Sequence, residues 1–150
     1  MSDQRFMWTI FCDDVRREVG NKHSFIGVYE RKLIVPTMPV MLPKLCFVMS
    51  VRTPVSQPFR QLKFSLLQDD AVVAEVDADV NGLGAGPDEE AVGNDDAAAQ
   101  VMTTIAVLEL SPLQVERACT FRARAITETG ELKGGSLVVE KQTTAATAVA

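Results

Sequence analysis

Between Lys63 and Arg117 the sequence contains no lysine and no arginine. Residues 64–116 carry 12 of the 20 acidic residues, while the other 97 residues hold all 15 basic residues and only 8 acidic ones. The net charge of −5 therefore divides into −12 in the middle and +7 across the two ends. That division predicts a dipolar surface and argues against the middle of the chain lying along nucleic acid.

Other shortages exclude further classes. There is one histidine, His23, so a two-histidine metal site is impossible, and no cysteine has a C-x-x-C partner. No nucleophile-elbow motif G-x-S-x-G occurs. A hydrolase would have to work through His23 or a carboxylate pair. His23 sits between Lys22 and Ser24 at a strand start, where an exposed structural role is the simpler reading. No apolar run reaches 18 residues, which excludes a helical membrane span. The opening residues enter a patterned segment without a basic n-region and apolar h-region, so no secretory signal is expected. The three cysteines, Cys12, Cys46 and Cys119, are an odd number with apolar neighbours. Buried free thiols in a reducing cytoplasm are expected, rather than a disulfide and a spare.

What the sequence has in quantity is a period of two. Phe6, Trp8, Ile10 and Cys12 share one face of an extended chain over 5–12. Residues 44–52 are apolar on both faces, as expected of a strand enclosed in a core. Further strands are expected over 60–68, 71–80, 101–110, 117–126 and 135–141, with Cys119, Phe121, Ala123 and Ala125 inward and Thr120, Arg122 and Arg124 outward. Asp69-Asp70 separates two runs tightly enough for a hairpin, and a turn is expected at Glu128-Thr129-Gly130-Glu131. Pro36, Pro39 and Pro43 make 35–43 an extended connector. The one plausible helical turn is 13–19, capped by Asp13 or Asp14, while Gly93-Asn94-Asp95 interrupts any helix over 87–99. Strands every 10–16 residues without a long helix predict an all-β, antiparallel β-sandwich of seven to nine strands. A single domain over 1–142 is expected, with a mobile acidic loop at 81–99 and a frayed tail at 143–150.

Phe11-Cys12-Asp13-Asp14-Val15-Arg16-Arg17-Glu18, then Asn21-Lys22, then Ser24-Phe25-Ile26-Gly27-Val28-Tyr29, resembles the opening of a family of small bacterial and phage-associated proteins of unknown function. The Pro-rich stretch at 35–44 and the run at 45–51 continue the resemblance, which covers the first third of the chain. It implies a sandwich of the immunoglobulin or C2 type and implies no activity. Read as residues alone, this opening sets a first hairpin with its turn at Asn21-Lys22. The rival reading makes Asp13, Asp14, Arg16 and Arg17 a recognition patch.

Asp77-Ala78-Asp79-Val80-Asn81-Gly82, followed by Asp88, comes close to a calcium-loop pattern, with oxygen ligands at alternate positions and glycine at the sixth. Gly84 replaces the usual apolar eighth residue, Asp88 is shorter than the bidentate glutamate, and a strand precedes the loop where a helix is usual. Gly82, Gly84 and Gly86 lack the third glycine of a dinucleotide loop and precede Asp88-Glu89-Glu90, which repels a pyrophosphate. Arg122 and Arg124 share a strand face and are expected to pair with Glu131 or Glu140, or to serve as a ledge for a partner. The basic pairs form no stripe with stacking aromatics. The expected function is a cytoplasmic, non-catalytic module that needs no cofactor and recognises a protein partner or a second copy of itself through loops or a strand edge. A calcium-responsive module is the alternative, and a small hydrolase a more remote one.

Overall fold

The structure is a computed structural model in which residues 4–81 and 101–143 are described. They form eleven strands and no helix. A four-stranded sheet runs β2 (Lys22–Tyr29), β1 (Phe6–Glu18), β5 (Leu45–Pro54), β8 (Val101–Leu110). A five-stranded sheet runs β3 (Lys32–Val35), β11 (Gly130–Lys141), β10 (Cys119–Thr127), β6 (Leu62–Gln68), β7 (Ala71–Asp77). β4 (Val40–Leu42) and β9 (Leu113–Val115) pair separately and pack Val40, Leu42, Leu113 and Val115 against the core.

The two larger sheets stack face to face because each strand presents one apolar row. Met7 and Phe11 on β1 and Phe47, Met49 and Val51 on β5 meet Leu62, Phe64 and Leu66 on β6 and Phe121, Ala123 and Ala125 on β10. Phe47 lies between Phe11 and Phe121, with ring centroids 5.7 and 5.5 Å away. Its geometry with Phe11 is edge-on, which aligns the positive ring edge with the negative face. The sheets come closest where β1 crosses β11: the Gly135 N–H donates to Thr9 Oγ1 at 3.2 Å. A Cβ on neighbouring Gly134 would collide with Thr9 Oγ1 and lie 3.0 Å from the Ala123 carbonyl oxygen. Only glycine admits that approach.

Turn chemistry matches the expected hairpins. Asp69 and Asp70 adopt φ of 48° and 73°, the left-handed pair that suits a two-residue hairpin between Gln68 and Ala71. Asp69 also accepts the Thr120 N–H at 2.9 Å, which anchors the turn to the start of β10. The first hairpin turns one residue earlier than the expected Asn21-Lys22: Gly20 and Asn21 take φ of 88° and 58°, and Lys22 already pairs with Glu18 at the start of β2.

Several expectations are corrected. The strand count exceeds seven to nine because short strands β3, β4 and β9 carry too few residues to show a period, and β4 lies inside the Pro-rich connector. No helical turn occupies 13–19; β1 runs through to Glu18 because pairing with β2 satisfies its backbone. Asp13 and Asp14 bond Tyr29 and Lys44 rather than capping a helix. The last strand begins at Gly130, its period hidden by a register shift opposite Arg122 and Arg124. β3 runs parallel to β11, so the sandwich is mixed rather than wholly antiparallel. The acidic loop and the tail lie outside the described residues, apart from Asn81 and their near boundary at Thr143.

Candidate interaction surface

The even-numbered residues of β1 and β5 point away from the sandwich core. Cys12, Cys46 and Val48 form a small buried cluster on the outer face of the four-stranded sheet, packed by Trp8, Ile10, Val15 and Phe25. Around it the face stays apolar and open: Phe6 is 46 % exposed, Val28 53 %, Ile105 47 % and Val107 43 %. The register aligns them, with Val28 opposite Cys12, Val107 opposite Val48, and Ile105 and Trp8 both opposite Ser50. Arg52 places its guanidinium 5.7 Å from the centre of the Phe6 ring and is exposed beside it. The two-sided apolarity of 44–52 was the visible signal of this face. It marks a strand with a core on one side and a second, partly open cluster on the other, not one enclosed between two covered layers.

Ser50 lies in the middle of the face, fully buried, and its hydroxyl has no hydrogen-bond partner. Cys12 and Cys46, distant in sequence, are direct cross-strand neighbours. All three cysteines are free and buried. Burial, and the neighbouring Cys46, push the Cys12 thiol up to about 11, and burial also raises Cys46 and Cys119. Such thiols are poor nucleophiles.

The Asp13–Arg17 group lies on the β1–β2 ribbon. Gly27 faces Asp13 with φ 67°, and a Cβ there would overlap the Asp13 carboxylate, so glycine is required for the pair to close. Asp13 accepts the Tyr29 hydroxyl proton, and burial together with that bond pushes Tyr29 up to about 12. Asp14 accepts from Lys44 at 3.1 Å and pairs with Arg16 at 3.5 Å, and the Lys44 hydrogen bond holds its carboxyl below the usual range. Arg17 and His23 face each other at the exposed end of the ribbon. Asp13, Asp14, Arg16 and Arg17 therefore lie along one ribbon, while Arg122 and Arg124 belong to the other sheet.

The outer face of the five-stranded sheet is charged. Arg124 pairs with Glu131 at 3.0 Å as expected, but Arg122 pairs with Asp70 at 3.4 Å, and Glu140 goes to Lys32 at 2.9 Å. Lys63 approaches Glu75 and Asp77 at 3.8 and 3.9 Å. Asp77, the first residue of the calcium pattern, thus faces a lysine. Asp79 accepts the Asn81 N–H at 3.0 Å, and Asp88 lies outside the described residues. Among the described residues, no three histidine, cysteine, aspartate or glutamate side chains are grouped to hold a metal.

A polar clasp that sequence reasoning missed joins the sheets at one end. Arg5 bonds Glu128 at 2.6 Å, the carbonyls of Gln57 and Pro58 at 3.0 and 3.1 Å, and Thr53 at 3.0 Å, with its guanidinium 4.5 Å from the Phe59 ring centre. Glu128 also accepts the N–H groups of Arg60 and Gln61. Burial raises its pKa, but the Arg5 bond and these backbone donors outweigh it and hold the carboxyl down at about 2. A lone arginine near the start of a sequence carries no pattern that announces such a partner.

A family of unknown function, DUF6941, matches residues 7–124. The chain belongs to that family. Its matched span runs from β1 into β10 and takes in the whole open face of the four-stranded sheet except Phe6. No curated protein and no solved structure matches the chain. No helix among the described residues is long and apolar enough to cross a membrane.

Proposed function

We propose that the protein is a non-catalytic interaction module that recognises a protein partner through the outer face of its four-stranded sheet. The observation that carries this reading is the exposed apolar row of Phe6, Val28, Ile105 and Val107 around half-buried Trp8 and Ile10. An apolar patch with aromatic anchors and one arginine at its margin has the composition of an interface centre. The partner that fits presents an apolar surface with a carboxylate placed for Arg52. The β1–β2 ribbon, with Asp13, Asp14, Arg16 and Arg17, borders this face and supplies a charged rim. Buried free thiols fit work in a reducing cytoplasm, and the resemblance of the opening to phage-associated proteins favours a phage or bacterial host protein as partner.

The test is affinity copurification of the tagged protein, read by mass spectrometry, for wild type, Phe6→Lys and the double variant Arg122→Ala/Arg124→Ala. A stoichiometric partner retained by the double variant and lost with Phe6→Lys is expected. Equal capture by all three, or capture lost only with the double variant, refutes the assignment of this face.

A further inference from the structure

The two larger sheets present four edges, and three of them carry features that discourage pairing with another chain. β3 has 4 residues and begins at a lysine. β2 has Lys22 and His23 at its start and is bent at Gly27. β7 carries Glu75 and Asp77, and its pairing with β6 is broken by a register shift at Leu66/Leu67. Short length, charge and bulges are the known protections of an edge. β8 is long and unbroken and carries a single charge. Its 10 residues, VMTTIAVLEL, contain no glycine, proline or lysine and one charge, Glu109, and they pair with β5 in unbroken register from Val101 to Leu110. No described strand pairs with its other side.

We infer that β8 pairs antiparallel with β8 of a second copy, joining the two four-stranded sheets into one. The strand is complementary to itself. A two-fold axis normal to the sheet sets residues of the same face opposite each other, so its centre falls on a residue. A centre at Ile105 places Ile105 against itself, Thr103 against Val107 and Val101 against Glu109 of the second copy. The first two are pairs of β-branched residues of the kind that stabilise sheets. Charge selects the same occupant: Glu109 meets a valine, never the other Glu109, and each Glu109 keeps Lys44 of its own chain at 3.6 Å. Pairing also makes the two open apolar faces continuous, so the inference extends the proposed function without depending on it.

The experiment is sedimentation of the purified full chain across the micromolar range, with folding checked by circular dichroism. Wild type is expected at twice the monomer mass. Ile105→Lys, which brings two ammonium groups together on the axis, is expected to weaken the dimer at least about tenfold. Because all three natural cysteines are buried, Ile105→Cys adds a lone accessible thiol. Mild oxidation is expected to cross-link it into a covalent dimer, while Val73→Cys on β7 gains no covalent link. A wild type that is monomeric throughout, or a dimer that survives Ile105→Lys and does not cross-link through Ile105→Cys, overturns the inference. A monomer that captures a foreign protein at β8 overturns it too. Partner capture read through Phe6→Lys, on β1 two strands away from the β8 edge, is scored separately, so a monomer that keeps its partner leaves the proposed function standing.

Discussion

The two outer faces of this sandwich are built from the same alternation and carry opposite chemistry. On the five-stranded sheet the outward positions of β10 hold Arg122 and Arg124, and each arginine has a carboxylate within 3.4 Å. On the four-stranded sheet the outward positions of β1 and β5 hold Trp8, Ile10, Cys12, Cys46 and Val48, and the last three are fully buried. A solvated face needs charge to stay single, so the paired face is explained by water alone. The apolar face is not, because its exposed hydrophobic side chains gain nothing from solvent. The difference is what supports the proposal that this side of the molecule makes contact.

Charge placed at the centre of the apolar face should have the largest effect. Val48→Asp buries an unpaired carboxylate and is expected to cost ~4 kcal/mol or more, a large part of the ~5–15 kcal/mol of an ordinary domain. Arg124→Ala, the corresponding disruption on the charged face, is expected to cost under ~1 kcal/mol. Urea unfolding of the two variants decides this, and equal losses would show the faces to be energetically alike.

The Arg5–Glu128 clasp ties the two sheets together and ranks next. Glu128→Gln is expected to lower stability by about 1–2 kcal/mol, a value reduced from that of a buried charged bond because the pair is partly solvated. The pH dependence has a definite sign. The folded carboxyl titrates at about 2, below its ordinary 4.5. Its contribution is therefore complete above 4.5 and fades as pH falls toward 2. Thermal unfolding of wild type and Glu128→Gln should differ at neutral pH and converge on acidification. Parallel curves down to the lowest pH would remove the clasp as the cause.

How much of this was legible in the sequence depends on the length of the pattern. The long strands β1, β5, β6, β8 and β10 announced themselves through alternation, and Asp69-Asp70 announced its hairpin, because backbone and side chains there obey local rules. β3, β4 and β9 were hidden, since strands of 3 or 4 residues have no measurable period and exist through their partners. Asp13 and Asp14 misled for the same reason: an acidic pair before a basic stretch is good capping chemistry locally, and only distant Tyr29 and Lys44 make it a strand. The apolar face was half visible. Residues 44–52 showed apolarity on both sides, but the sequence does not say whether the second side is covered. Arg5–Glu128 and Cys12–Cys46 were invisible, because their meaning is entirely a matter of distance in the fold.

A smaller effect sharpens the reading of the apolar face from inside. Ser50 has a buried hydroxyl without a partner, flanked by Trp8 and Ile105. An unpaired buried hydroxyl carries a desolvation penalty, so Ser50→Ala is expected to raise stability by ~1 kcal/mol. A loss of stability instead would mean that the hydroxyl has an acceptor and that this part of the face is polar in character.

The smallest expected effect concerns the charged face. A double-mutant cycle on Arg124 and Glu131 should give a coupling of ~0.2–1 kcal/mol at low salt. That coupling should shrink in 1 M salt, where the screening length falls to about 3 Å. Both side chains are accessible, at 28 % and 38 % exposure, so water and ions compete for each. Association through the apolar face should respond in the opposite sense, since salting-out ions such as sulfate strengthen apolar burial. Measuring the coupling and the partner capture in the same sulfate series therefore separates the faces in one experiment. If both weaken together, charge rather than apolar contact holds the partner, and the distinction between the two faces fails.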